Sequence, residues 1–169
     1  MDTPEHMRRV LVFAALLLCL TQPAAAALPR QGTLVPGRSL GGVRLGETAA
    51  QVRAALGRSY GVCRGCVVPT WYFTYLRFDR RGLAVELTRG RVSAVYTLWR
   101  PGGWSAPHSL QLGAAQAQVT SVAGPLIPIA CAGYDALVRD ARHARTVYYV
   151  VNGKLWGFGL LRTRENPCR

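Results

Sequence analysis

Two stretches of this chain copy each other, and this duplication constrains its fold more than any other feature. Residues 43–57 return at 110–124, with Leu, Gly, Ala, Gln, Val and Gly identical at the same six places. A Gly-Arg-Val segment at 90–92 returns as Gly-Lys-Leu at 153–155. Because the copies keep their order through a helix pattern and a hairpin pattern, the sequence predicts two tandem structural units.

Each copy begins with the pattern of a short helix. In the first, Thr48 and Gln51 form a capping box, and Gly57 ends the helix. The second copy has Ala115 at the cap position, so we expect its helix to be weaker by about 1 kcal/mol. A helix of about two turns is marginal alone, so each must pack on a sheet.

Three β-prone segments follow each helix, and Arg89-Gly90 and Asn152-Gly153 are two-residue hairpin turns. The segments are 71–78, 83–88 and 91–98 in the first unit, and 135–140, 146–151 and 154–161 in the second. The sequence therefore predicts an α+β fold of two tandem repeats. Each repeat is a short helix packed on a three- or four-stranded antiparallel sheet.

The hairpin turns also predict which side chains share a face. In the second unit, Tyr149 is predicted to lie directly across from Trp156, away from the helix. The predicted outer face of this unit is aromatic: Val147, Tyr149, Trp156 and Phe158. The outer face of the first unit is mixed and polar: Ala84, Glu86, Thr88, Arg91, Ser93 and Val95. The aromatic face is either an exposed interaction site or ordinary buried core, and the sequence leaves both open.

The N-terminal residues have the parts of a secretory signal peptide. A basic start, an apolar run over 10–20 and small residues over 24–27 predict a signal peptide at 1–27. The apolar run is too short for a membrane-spanning helix, which needs about 20 residues. The remaining boundaries are a flexible leader at 28–41, repeat 1 at 42–99, a linker at 100–109, repeat 2 at 110–162 and a C-terminal tail at 163–169.

Four cysteines follow the signal peptide, which is typical of two disulfides in an exported protein. The preferred pairing is Cys63–Cys66 and Cys131–Cys168. The alternative is a redox-active Cys-x-x-Cys pair, but extended sequence follows it where thioredoxin-like motifs have a helix. No second close pair accompanies it, so neither a zinc site nor any other metal or cofactor is predicted.

The formal net charge is +13, and removal of the signal peptide leaves it unchanged because two basic and two acidic residues are lost. A small exported protein of this charge is attracted to acidic glycans, phosphate polymers or anionic lipid. Nucleic acid would bind weakly through phosphate charge alone, and specific recognition of it is not expected of an exported protein. The expected partner is a protein or an anionic polymer of the cell envelope, and the oligomeric state stays open.

Other candidate binding residues surround the aromatic face. Trp104 lies in the glycine-rich linker, where loops often carry function. Arg145 and Lys154, with Arg77 and Arg162, form a predicted basic rim. No catalytic residues are predicted, because the sequence contains no nucleophile-elbow motif and no local pair of acids. His108 beside two serines is an ordinary polar loop residue by this interpretation.

The paired helix signature resembles the β-lactamase inhibitory protein family. The resemblance rests on Leu45-Gly46-x-Thr48-x-x-Gln51-Val52-x-x-x-Leu56-Gly57, its echo at 112–124 and the two hairpins that follow. It covers about residues 42–161, and small lipoproteins of the outer-membrane β-barrel assembly machinery share a similar unit. The resemblance implies a binding module that holds its partner on a sheet face. It does not imply that the partner is a β-lactamase, since fold alone does not fix function.

We therefore expect a secreted or periplasmic, non-enzymatic binding module that recognises a protein or an anionic envelope polymer through a sheet face. The alternative hypothesis is an extracytoplasmic thiol-disulfide oxidoreductase that uses Cys63 and Cys66.

Overall fold

The computed structural model describes residues 31–74 and 81–169. The predicted signal peptide and the candidate residue Arg77 lie outside these residues. The strands are β1 Gly32–Val35, β2 Ser39–Leu40, β3 Gly61–Val62, β4 Thr70–Thr74, β5 Gly82–Thr88, β6 Arg91–Leu98, β7 Trp104–Ala106, β8 Leu110–Gln111, β9 Ile127–Cys131, β10 Tyr134–Asp140, β11 Arg145–Val151 and β12 Lys154–Leu161. The helices are α1 Ala49–Leu56 and α2 Gln116–Ala123, and Pro107–Ser109 forms a 3-10 turn.

One large antiparallel sheet dominates the fold, in the order β3-β4-β5-β6-β12-β11-β10-β9. Strands β6 and β12 form the central pair, with Gly159 opposite Tyr96 and Leu161 opposite Ala94. The architecture is therefore α+β and rich in sheet, as the sequence predicts. Each described helix is eight residues long, and neither has the length or the apolar character of a membrane span.

Both helices and a second, smaller sheet cover one face of the large sheet. The small sheet has the order β2-β1-β7-β8. Apolar side chains of α1 (Val52, Leu56) and α2 (Val119, Ala123) join one core cluster with Leu83 and other buried residues of the large sheet. We call this side of the large sheet the helix face, and the other side the open face. Burial of the helix face stabilises two helices that would be marginal alone.

The residues around each helix are held by matching backbone contacts. Gly46 N–H donates to Val92 C=O at 2.8 Å, and Gly113 N–H donates to Leu155 C=O at 2.7 Å. Thr48 caps α1, with its side chain and that of Gln51 forming the predicted capping box. These contacts attach the start of each helix to the first residues of β6 and β12.

The segment expected to be a flexible leader is instead part of the small sheet from Gly32 onwards. Leu34 and Leu40 within it are buried in the main core. The linker prediction is also wrong in part, because residues 104–106 form β7 and pair in parallel with β1. Proline and glycine do not prevent short strands when apolar side chains between them can be buried.

Both central hairpins contain a β-bulge at equivalent positions. Glu86 pairs with Ala94 while Leu87 pairs with Val92, so Ser93 is an extra residue in β6. In the second hairpin, the same irregularity makes Trp156 the extra residue in β12. The predicted pairing of Tyr149 with Trp156 is therefore wrong, and Tyr149 lies opposite Gly157. A single extra residue sends all later side chains of that strand to the other face.

Candidate functional site

The bulge in β12 divides the predicted aromatic face between the two sides of the sheet. Phe158 lies in the core on the helix face and is fully buried, which corrects its assignment as a binding residue. Val147 and Tyr149 belong to a second cluster on the open face, and Trp156 lines a groove there. The open face thus keeps three of the four predicted residues, with Val147 wholly buried beneath the surface.

Trp104, predicted as a binding residue, and Trp99 lie in opposite environments. Trp104 is only 1% exposed, so its assignment as a binding residue is wrong. Trp104 begins β7 of the small sheet, and a Cβ atom on Gly32 of the neighbouring β1 would lie 2.6 Å from its ring, which shows how closely the two strands pack. Trp99 is instead 50% exposed, and its ring lies 5.1 Å from that of Trp156.

The predicted basic residues lie outside this groove. Arg145 forms two hydrogen bonds to the Asp140 carboxylate, at 2.7 and 3.1 Å, and a third to the Glu165 carbonyl oxygen. Lys154 is exposed beside the turn of the second hairpin. Neither residue is placed to act with Tyr149 and Trp156, so the predicted rim is not assembled from them.

The groove on the open face has a volume of about 470 Å³, and half of its lining residues are aromatic. It crosses the junction of β6 and β12. The aromatic and charged lining residues are Tyr72, Tyr96, Trp99, Tyr134, Tyr149, Trp156 and Arg169. Tyr134 meets Tyr149 edge to face, with ring centroids 5.9 Å apart. A groove with largely apolar walls and a few polar groups is typical of a ligand site.

The C-terminal tail brings Arg169 to this groove. Cys168 forms a disulfide with Cys131 at the end of β9, as predicted, and anchors the tail. The hydroxyl of Tyr134 makes hydrogen bonds to backbone atoms of Arg169. The Arg169 guanidinium lies 5.7 Å from the centroid of the Tyr96 ring, and its Nε lies 3.1 Å from Glu86 Oε1. The tail therefore supplies the only arginine among the described residues that line the groove.

A buried polar cluster lies beneath the groove. Burial raises the pKa of Glu86, while the charge of Arg169 and a hydrogen bond from Tyr96 act in the opposite direction. Burial, followed by the nearby Glu86 carboxylate, also raises the pKa of Tyr96. The pKa of Tyr149 is raised mainly by burial. The two phenols therefore stay protonated and act as hydrogen-bond donors at neutral pH.

Three polar atoms in this cluster have no hydrogen-bond partner among the described residues: Tyr149 Oη, Arg169 Nε and Arg169 Nη2. The contact between Arg169 Nε and Glu86 is ionic and lacks hydrogen-bond geometry. An unpaired buried polar group costs on the order of 1–3 kcal/mol. The groove floor is thus where an oxygen-bearing ligand or a water molecule would gain most from binding.

Sequence reasoning predicted only Tyr149 and Trp156 among the seven aromatic and charged residues that line this groove. Tyr72 and Tyr96 both lie opposite Ala84, on the open face, and the bulge in β6 is what brings Tyr96 to that side. Tyr134 and Arg169 carry one signal in the sequence, which is the pairing of Cys131 with Cys168. That disulfide fixes the last residue beside the strand that begins at Tyr134.

The second disulfide, Cys63–Cys66, is also the predicted one. It lies in the loop between β3 and β4, after α1 has ended, and not at the start of a helix. Among the described residues, no three His, Cys, Asp or Glu side chains are grouped to hold a metal ion.

Comparison with known proteins shows a similarity of fold and nothing more specific. No family model matches this chain, and no curated protein matches it. The chain is similar to an extracellular protein containing an SCP domain from Bacillus anthracis, with a TM-score of 0.52 and 10% identity. This match covers 70% of the chain and 44% of that protein, so the chain spans less than half of its neighbour's length.

A second solved structure is a DUF4309 family protein (YjgB) from Bacillus subtilis, with a TM-score of 0.45 and 11% identity. The match covers 69% of this chain and 79% of that one. At such low identity, the likeness to the Bacillus anthracis protein concerns the fold alone.

Proposed function

We propose that this protein is a secreted or periplasmic, non-enzymatic binding module that holds an acidic glycan of the cell envelope in the open-face groove. The observation that carries the proposal is the pairing of the exposed Trp99 with the half-buried Trp156 in an aromatic groove that also contains Arg169. The two disulfides support an oxidising compartment, where such bonds persist.

The ring arrangement supports a flat, partly apolar ligand. Pyranose rings have apolar faces that pack on aromatic side chains, and the tilted Trp99–Trp156 pair offers two such surfaces. Tryptophan and tyrosine dominate many binding energies because they bury large areas with few rotatable bonds. The half-buried Tyr72 and Tyr134 extend the same surface along the groove.

Charge supports an acidic rather than a neutral sugar. The chain carries a formal net charge of +13, so an anionic polymer is attracted over its whole surface. Arg100 is exposed next to Trp99. Its backbone N–H donates to the Trp156 carbonyl oxygen at 3.2 Å, which fixes its position beside the groove. Arg169 lines the groove itself. Guanidinium groups near an aromatic surface suit a ring that carries a carboxylate.

The test is calorimetric binding of a tetramer of galacturonic acid, compared with a neutral hexose tetramer. We expect the acidic tetramer to bind more tightly, and Trp156→Ala to weaken that binding at least tenfold. Trp71→Ala is the matched control, because Trp71 is also half-buried but stacks on Tyr60 and packs against the helix-face core. The control should change the affinity less than twofold.

Two results would overturn the assignment. One is equal binding of the acidic and neutral tetramers, and the other is an unchanged affinity in the Trp156→Ala protein. Capture of an envelope protein at the same groove, without glycan binding, would also replace the glycan by a protein partner. Phe158 is left out of the variants because it lies in the core, where substitution would test folding.

The alternative hypothesis, a thiol-disulfide oxidoreductase, gains no support from the position of Cys63 and Cys66 in a loop. Redox-active pairs usually gain thiolate stability from a helix N-terminus. A double substitution, Cys63→Ser with Cys66→Ser, should leave glycan binding unchanged. Reversible exchange with glutathione at this pair near neutral pH would favour the enzyme instead.

We also infer that the two halves of the chain arose by duplication of one helix-and-sheet unit. The support is the matching attachment of Gly46 and Gly113 to β6 and β12, together with equivalent bulges at Ser93 and Trp156. By this proposal the bulge is inherited, and the second copy placed a tryptophan there for binding.

A further inference from the structure

We propose a second binding site, separate from the groove, that takes a multiply charged phosphate anion. It is a hollow of about 660 Å³ at the start of β11 and the end of β12. Its ionisable lining residues are Arg38, Arg44, His143, Arg162, Arg164 and Glu165. Four arginines and one glutamate therefore line a single depression.

The four arginines come from three separate parts of the chain, with Arg162 and Arg164 both in the segment after β12, so the fold is what brings them together. Arg38 follows β1, and the adjacent Gly37 is fixed by its N–H, which donates to Thr146 Oγ1 at 3.0 Å. Arg44 precedes α1 in the segment attached to β6 through Gly46. Arg162 follows β12, and its N–H donates to the Ser93 carbonyl oxygen at 2.9 Å. The backbone positions of these residues are thus set by contacts with the large sheet.

The positive charge of the hollow is not neutralised from within the described part of the chain. None of the four arginines forms an ion pair within 4.0 Å with a described carboxylate. The nearby Asp140 is already held by Arg145 through two hydrogen bonds. The side chain of Glu47 accepts from the backbone N–H of Arg44, not from its guanidinium. Like charges brought together in this way favour binding of an anion.

Phosphate fits this arrangement better than carboxylate. A terminal phosphate carries up to about two negative charges and three acceptor oxygens, so one group can accept from several guanidinium forks. Arginine matches phosphate geometry in paired hydrogen bonds. A carboxylate has one charge and two oxygens, so one such group would leave most of the four arginines without an acceptor. The hollow should therefore bind a phosphate anion of high charge density more tightly than a single carboxylate.

The experiment measures binding of inorganic tripolyphosphate at 150 mM NaCl, with a tetraglutamate peptide as the carboxylate probe. We expect tripolyphosphate to bind at least tenfold more tightly than tetraglutamate. The test variant is Arg44→Gln with Arg162→Gln, and the control is Arg58→Gln with Arg89→Gln, two exposed arginines elsewhere on the surface. Both pairs change the net charge equally. The test pair should lose at least tenfold in affinity and the control pair less than threefold.

Amide NMR shifts locate the anion independently of any substitution. Tripolyphosphate should move the signals of Gly37 and Gly46, which line the hollow, and leave Gly133 and Gly157 of the groove unchanged. The galacturonate tetramer should move the signals of Gly133 and Gly157 and leave those of Gly37 and Gly46 unchanged. The proposal for the hollow and the proposal for the groove can therefore fail independently. Equal loss in both variant pairs, or equal binding of both probes, would mean attraction by net charge alone and would overturn the proposal.

A third arm separates free phosphate from a lipid headgroup. Vesicles of phosphatidylglycerol in phosphatidylcholine present single phosphates on a surface. Vesicle binding that is lost in the Arg44/Arg162 variant, with no binding of tripolyphosphate, would overturn the soluble polyanion as ligand and replace it by a membrane surface.

Discussion

The guanidinium Nε of Arg169 lies 3.1 Å from Oε1 of Glu86, which joins the C-terminal tail to strand β5 beneath the aromatic groove. Both side chains are largely buried. A buried charge pair has a high desolvation cost, so it is weak evidence for stability. Its position instead makes the tail part of the binding surface, and this relationship leads to the first prediction.

Glu86 should make the protein less stable as the pH rises. Burial raises its pKa above the ordinary value of 4.5. The favourable contribution of its protonated form is fully present below the unfolded pKa and is lost as pH rises through the folded pKa. The free energy of unfolding of the wild type, relative to Glu86→Gln, should therefore be highest below pH 4.5 and fall as the pH rises above that value in urea titrations.

A second variant checks the cause of that dependence. The Arg169 charge lowers the pKa of Glu86, so Arg169→Gln should raise it further, as measured by NMR titration of the carboxyl carbon. Parallel pH profiles for the wild type and Glu86→Gln would contradict the prediction. Those profiles would mean that the carboxyl remains well solvated.

The two disulfides should contribute unequally to stability. Cys131–Cys168 closes a loop with a sequence separation of 37, whereas Cys63 and Cys66 are 3 apart. The chain-entropy model gives about 4 kcal/mol for the longer loop and about 2 kcal/mol for the shorter one. Paired serine substitutions measured by urea denaturation should show this order. Only loss of the longer disulfide should also weaken glycan binding, because it frees Arg169 from the groove.

Thr97 should stabilise the central junction of the large sheet. Its Oγ1 accepts from the Phe158 N–H at 2.9 Å, across the β6–β12 pair, and the site is buried. Thr97→Val keeps the shape but leaves that N–H without an acceptor, which should cost about 1–3 kcal/mol. Thr97→Ser retains the hydroxyl and is the matched control. Thermal unfolding that ranks the serine variant below the valine variant would refute this role.

Substitutions at the two helix N-caps should change the stability of the protein in opposite directions. Thr48 Oγ1 accepts from the Gln51 N–H, and Gln51 Oε1 accepts from the Thr48 N–H at 2.8 Å. At the start of α2, only the second half of this arrangement exists, from Ala115 N–H to Gln118 Oε1 at 3.1 Å. Thr48→Ala should destabilise the protein by about 1 kcal/mol, and Ala115→Ser should stabilise it by about 0.5–1 kcal/mol. Urea midpoints should therefore fall for Thr48→Ala and rise for Ala115→Ser, and a shift of the same sign in both variants would contradict the prediction.

Local sequence patterns predicted the helices and turns better than they predicted which side of the sheet each side chain occupies. The capping box at Thr48 and the turn at Asn152 act within a few residues, and both are present as expected. The bulge at Trp156 has no such local signal, because whether an extra residue is tolerated depends on packing across neighbouring strands. As a result, Phe158 moved into the core while Trp156 stayed on the open face.

The sequence by itself determined the α+β class, the two helices, the hairpin turns and the cysteine pairing, because each depends on residues close together or on a small number of alternatives. Tertiary structure decided the location of the candidate site. Trp104 became core because the small sheet to which it belongs packs on the helix face, and Arg169 entered the groove because a disulfide and Tyr134 hold the tail. The physical reason is that burial is a property of the assembled surfaces, whereas capping and turn formation are properties of the local chain.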